Sequence, residues 1–274
     1  GSEMCIRDRI SSASRALAAG DPLGALNRVA LRDDAPALAL RGIAMAQLGD
    51  FVRAKTLLRR AAKAFGATDA VARARCVAAE AEVALASRDL AWPEKSLAAA
   101  RATLQAHGDA VNAAHAAQLQ ARRQLLTGRP EDAGRTLDGV QIANLPAASR
   151  AIHELIRGGI ALRRVQASAA SAALRRAADA ARQAGIPALL AEVDHACRAL
   201  SAPAARRVGQ GGSQDLTLGE VEALLASRAL IVDACRNALR REGQTAPLAS
   251  RPVLFTLARL LAEAWPQDVS RELL

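Results

Sequence analysis

The sequence contains no tyrosine, only three phenylalanines and two tryptophans, and only three lysines, Lys55, Lys63 and Lys95. So few aromatics argue against a β-sandwich or barrel, whose strands draw on Tyr, Trp, Phe and β-branched residues. They argue equally against base stacking on single-stranded nucleic acid, which needs exposed aromatic platforms. Cysteine is scarce, and Cys5, Cys76, Cys197 and Cys235 form no C-x-x-C pair. Neither a zinc knuckle nor a disulfide framework is expected; small buried thiols in a reducing cytoplasm are. Charged residues break every apolar run before about 18 positions, so no membrane-spanning helix is expected. The four histidines, His107, His115, His153 and His195, stand far apart. His153-Glu154 lacks the second His of a zinc-protease helix, and Asp194-His195 are adjacent positions that diverge around a helix. No Gly-x-Ser-x-Gly elbow occurs. Surface polar residues account for these groups, and the expectation is a protein that is not an enzyme and needs no cofactor or metal.

What is abundant is alanine, about a quarter of all positions and the best helix former. The 274 residues carry 37 Lys+Arg against 27 Asp+Glu, a formal charge of +10. Nearly all the positive charge is arginine, and Arg and Ala richness is what a GC-rich genome produces, so the basicity does not by itself mark a binding field. The excess is spread: residues 1–200 hold 28 basic and 19 acidic side chains, residues 201–274 hold 9 and 8.

From residue 10 to about 204 the sequence reads as short amphipathic helices joined by tight turns. A phrase returns as Ala19-Gly20-Asp21-Pro22, Leu48-Gly49-Asp50-Phe51 and Thr127-Gly128-Arg129-Pro130. Gly supplies a left-handed residue after one helix, and Pro or Asp opens the next. The spacing predicts pairs at 10–20 with 22–31, 36–48 with 51–64, 70–87 with 93–106, 110–127 with 130–139 and 148–163 with 167–184, then a helix near 187–200. Around Gly49, Leu40, Ile43, Ala44 and Leu48 precede Phe51, Ala54, Leu57, Leu58 and Ala61 at three-to-four spacing. These residues resemble a tetratricopeptide-type repeat, with irregular intervals between the glycines. That resemblance implies a mainly α helical-repeat solenoid whose concave face takes a protein or peptide partner or, less often, a small ligand.

Residues 1–9, Gly-Ser-Glu-Met-Cys-Ile-Arg-Asp-Arg, resemble the in-frame translation of a transposase-type sequencing adapter and are read as a scar, with the true N-terminus missing. Residues 205–216, rich in Gly, Ser and Gln, read as a flexible linker. Their Gly-x-Gly-Gly follows no strand and precedes no Gly-Lys-Ser/Thr, so it is not a phosphate loop.

Residues 217–274 carry the functional information. Thr217 and Glu220 make a capping box, Leu230-Ile231-Val232 and Ala238-Leu239-Arg240 read as short strands around turn residues, and Glu242-Gly243 lies in a further turn. A helix follows, with Ser250 as cap, Pro252 in its first turn and Val253, Leu254, Leu257, Leu260 and Leu261 on one face. Trp265 is expected in the core. The run from Leu248 to Leu261, with Asp268-Val269-Ser270-Arg271-Glu272-Leu273-Leu274, resembles the winged helix-turn-helix of OmpR-type bacterial response regulators. Val269, Ser270, Arg271 and Glu272 match that family's second-helix opening; Arg251-Pro252 departs from it. The resemblance implies an α+β winged-helix domain that controls transcription by binding double-stranded DNA, with Ser270 capping the second helix and Arg271 beside a phosphate. The recognition helix and wing would lie past Leu274, so this polypeptide is expected to be a fragment that binds DNA weakly or not at all. A homodimer fits the scheme. No receiver domain with a phosphorylatable Asp is read, which leaves signal input to the helical repeats. The competing expectation is a tetratricopeptide-like interaction scaffold that does not bind DNA.

Overall fold

In the computed structural model, residues 2–209 and 212–272 are described, with side chains from residue 8 onward. The fold is mainly helical with a small antiparallel sheet region near the C-terminus. The helices are α1 (Ser2–Ala18), α2 (Pro22–Val29), α3 (Ala35–Gln47), α4 (Phe51–Phe65), α5 (Ala70–Ala86), α6 (Glu94–Ala106), α7 (Ala110–Leu126), α8 (Pro130–Asp138), α9 (Ala147–Arg163), α10 (Ala167–Ala184) and α11 (Pro187–Ser201). These follow the expected pairs closely. The segment read as a scar continues α1 backward from residue 10; Gly1 and the Cys5 side chain lie outside what is described.

Aspartate starts five of these helices. Asp21, Asp34, Asp50, Asp69 and Asp109 each accept from the backbone N–H three residues on, at 2.8, 3.2, 3.1, 2.9 and 3.3 Å. Each such cap is worth about 1 kcal/mol. The first helix of all five pairs ends in one hydrogen-bond pattern: the amides of Asp21, Asp50, Asp89, Arg129 and Gln166 donate to the carbonyls of Ala16, Met45, Ala84, Gln124 and Ala161. That closure demands a left-handed residue just before the donor. Gly20, Gly49 and Gly128 supply it; after α5 the residue is Arg88, at φ 56°, and in the α9–α10 turn it is the β-branched Val165, at φ 58°. A β-branched side chain is strained there. Val165→Gly is expected to stabilise the protein by about 1 kcal/mol, read as a raised urea midpoint at unchanged slope.

The cores of the pairs repeat one spacing. Ala13 faces Ala25 and Val29, Gly42 faces Ala54 and Leu58, Ala121 precedes Ala133 and Leu137, and Gly158 precedes Ala170 and Leu174; among them Ala13, Ala25, Ala54, Ala121, Ala133 and Ala170 are fully buried. A small residue late in the first helix lets the second approach closely, and a branched apolar residue then fills the gap. The α5–α6 pair keeps the small residue as Ala81 and the Ala100-Leu104 step, but a longer connection separates them. Trp92 from that connection is buried in the same cluster, against Leu97 and Leu104. In the first unit each helix from α1 to α8 packs on the next, and α1, α3, α5 and α7 also touch successively; in the second, α10 packs on α11.

The chain divides into two compact units, residues 1–156 and 157–274, so the expected boundary near 204 falls inside the second. In the second unit, the stretch read as a flexible linker is instead an antiparallel hairpin, β1 (Pro203–Gly209) with β2 (Gly212–Thr217); Gln210 and Gly211 lie outside the described residues. Cross-strand pairs decide the matter where composition does not. Arg206 pairs with Asp215 at 3.3 Å, and Arg207 donates to Gln214 at 2.8 Å. Then come α12 (Leu218–Ala226), a three-stranded antiparallel sheet of β3 (Ile231–Asp233), β4 (Ala238–Arg241) and β5 (Gln244–Pro247), and α13 (Pro252–Ala264). Glu222 of α12 supplies the cap that α10 lacks: its carboxylate accepts from the amides of Ala167 and Ser168 at 3.0 and 3.4 Å. A carboxylate there also meets the positive end of the helix dipole.

Candidate nucleic-acid interface

The module from β1 to α13 is assembled by local polar devices. Thr217 and Glu220 form the expected capping box: the Glu220 carboxylate accepts the Thr217 amide at 2.7 Å, and Thr217 Oγ1 accepts the Glu220 amide at 3.4 Å. The amide and then the hydroxyl of Thr217 hold the Glu220 carboxyl below the usual range. Asp233 ends β3 by accepting from the amides of Cys235 and Arg236 at 3.1 and 3.2 Å, and its carboxylate pairs with Arg236 and Arg240, each at 3.3 Å. Glu242 and Gly243, at φ 50° and 78°, form the two-residue turn between β4 and β5. Two consecutive positive values match the twist of a tight hairpin.

The helix α13 touches β1 and β3. Its cap is Arg251 rather than Ser250, because Pro252 occupies the first helical position, where a missing N–H costs nothing. None of its residues is fully buried: Val253, Leu254 and Leu261 are 70, 48 and 49% exposed. Trp265, expected in the core, is 77% exposed. An apolar stripe left open in this way marks a surface that associates with something.

Ser270 and Arg271 are both exposed and precede no helix within the described residues; the second helix they were expected to open runs into Leu273 and Leu274, which lie outside them. Most of the module's other arginines are engaged: Arg206 with Asp215, Arg228 with Glu242, Arg236 and Arg240 with Asp233, and Arg259 with Glu263. Arg241 and Arg251 join Arg271 as exposed guanidinium groups that form no ion pair among the described residues. In the sequence Arg251 stands out only as a departure from the family and Arg241 not at all; the lack of an acidic partner is what singles both out. His153 and Glu154, read as surface groups, are instead buried, at 2 and 6% exposure. Among the described residues no group of three His, Cys, Asp or Glu side chains gathers that could hold a metal ion. No described helix is long and apolar enough to cross a membrane. No protein-family model, curated protein or solved structure matches this chain.

Proposed function

We propose that the chain is part of a cytoplasmic bacterial transcription regulator, in which tetratricopeptide-like helical pairs stack into a solenoid that senses or docks a partner and the C-terminal module is the first part of a promoter-binding winged helix. The observation that carries this is the open apolar stripe of α13 behind a three-stranded antiparallel sheet. A winged helix covers that stripe with two further helices, and Val269-Ser270-Arg271-Glu272 has the wording that opens the first of them. Successive contacts among α1, α3, α5 and α7, with small residues at a repeated spacing, support the solenoid. In this scheme Arg241, Arg251 and Arg271 position the module on phosphates, while base edges are read by the recognition helix.

The test is to express the reading frame through the codons that follow the one for Leu274 and select binding sites from random double-stranded DNA. Selective enrichment is expected. Arg241→Ala and Arg251→Ala should each weaken binding to all sequences alike and lower the salt slope by about one. Recovery of no preferred sequence would overturn the reading. The alternative, an interaction scaffold that does not bind DNA, draws on the acidic partners that already neutralise most of the module's arginines.

A further inference from the structure

We propose that a cavity of about 350 Å3 in the first unit, between the end of α6, the start of α7 and the segment after α8, binds a ligand through a carboxylate group. Arg101 stands on its wall, Ala113 and Ala114 form a buried apolar surface, Val140 adds a further apolar contact, and Gln105 and Gln141 offer carboxamides at the exposed rim. The volume suits a small organic acid or the end of a peptide.

Arg101 is what distinguishes this hollow from an ordinary gap between helices. Elsewhere in the first unit Arg75, Arg123 and Arg129 each hold a carboxylate, at 2.7, 2.5 and 3.1 Å. Arg101 is half-buried yet forms no ion pair among the described residues, and burial lowers its pKa from the usual arginine value. A partly desolvated guanidinium on the wall of a hollow suits an anion, because it stays protonated and carries donors in a fixed fork. Gly139 makes room for it: a Cβ at that position would come within 3.3 Å of Arg101 Nη2.

The lining selects among anions. One guanidinium matches one carboxylate bidentately. Asp109, between the lining residues Gly108 and Ala110, is ionised: burial raises its pKa, but hydrogen bonds from Asn112 and Arg75 and the Arg75 charge outweigh that and leave it low. Arg75 compensates that charge, so the preference for an organic monoanion over phosphate rests on the apolar wall. The alanine and valine surfaces then take an aliphatic stem.

The inference concerns the first unit and does not use the DNA-binding reading, so the two fail separately. The experiment titrates the full chain with butyrate, with a short peptide ending in a free valine carboxylate, with the same peptide amidated, and with inorganic phosphate, following the Arg101 Nε–H resonance. Butyrate should shift that resonance saturably, and Arg101→Gln and Gly139→Val should each weaken binding at least about tenfold. Since Arg101 makes no ion pair, Arg101→Gln should melt as the parent does. Tighter binding of the free peptide than of butyrate, lost on amidation, assigns the carboxylate to a polypeptide terminus; tighter binding of butyrate assigns it to a small free acid. No saturable shift, unchanged butyrate affinity in Arg101→Gln, or phosphate binding as tightly as butyrate would overturn the proposal.

Discussion

Valine at Gly42 is expected to destabilise the α3–α4 pair by about 3 kcal/mol, and valine at Gly158 to do the same to α9 and α10. A Cβ at Gly42 would lie 2.8 Å from Leu58 Cγ and 3.3 Å from the Ala54 carbonyl oxygen. At Gly158 it would meet Leu174 Cδ2 at 2.7 Å and Cγ at 2.9 Å. Leu58 and Leu174 are each 1% exposed, so neither has free space to move into. The helices must separate, and close-packed interiors resist that. Hydrogen exchange read segment by segment gives the measurement, with protection falling first in the pair that carries the substitution. A second change separates steric conflict from loss of glycine flexibility: Leu58→Ala in the Gly42→Val background should return part of the stability, a favourable coupling of about 1–3 kcal/mol. If Gly42→Val unfolds at the parent's urea midpoint, the close approach of these helices is not what holds the pair.

These glycines also show what could be read in the chain. The turn phrases around Gly20, Gly49 and Gly128 announced helical hairpins because a left-handed residue followed by Asp or Pro has one strong local meaning. The Asp caps work the same way, through contacts three residues long. The irregular intervals between glycines looked like poor periodicity, yet the repeated spacing lies within each pair, from Ala13, Gly42, Ala121 and Gly158 to their partners in the next helix. Irregularity enters between pairs and in the α5–α6 connection, where loop length is free to vary. The turns at Arg88 and Val165 lack the glycine phrase, because their left-handed residues are not glycine, although the helical spacing on either side still places the pairs.

Nonlocal pairing was the harder part. The β1–β2 hairpin is composed like a linker, and only the juxtaposition of Arg206 with Asp215 and of Arg207 with Gln214 makes it a strand pair. Trp265 has an apolar ring and a core-like sequence context, but residue type does not tell which elements are present to cover it. For the candidate interface, Ser270 and Arg271 were found through wording shared with a family. Arg241 and Arg251 differ from Arg236 and Arg240 only in what lies across from them, and one-dimensional reading cannot supply that. Arg101 is the same case in the first unit: its interest is the acid it lacks.

Removing Arg123 is expected to cost about 3 kcal/mol, whereas removing Arg129 from the same cluster should cost less than about 1 kcal/mol. Both pair with Glu94, at the first turn of α6. The Arg123 side chain is only 15% exposed; its guanidinium bonds Glu94 at 2.5 Å, donates to the Leu90 carbonyl at 3.2 Å and lies 5.2 Å from the centre of the Trp92 ring. One group therefore ties the long α5–α6 connection to α7. Alanine there leaves the Leu90 carbonyl without that donor and uncovers the ring. Arg129 is 42% exposed and contributes mainly through charge in water. Arg123→Lys should rescue little, since an ammonium cannot span Glu94, Leu90 and the ring face together. Acid separates the ionic part from the packing part. Burial raises the Glu94 pKa, but the hydrogen bond and charge of Arg129 and the charge and hydrogen bond of Arg123 outweigh it, so the carboxyl is held low. A lowered pKa means the folded state binds protons less readily than the unfolded chain, so this stability is present above the ordinary glutamate range and lost as pH falls through the folded value. The urea midpoint of the parent should drop on that acidic limb, and Arg123→Ala should start lower and fall less. Parallel acid curves for parent and variant would mean the cluster's contribution is packing of Trp92 alone.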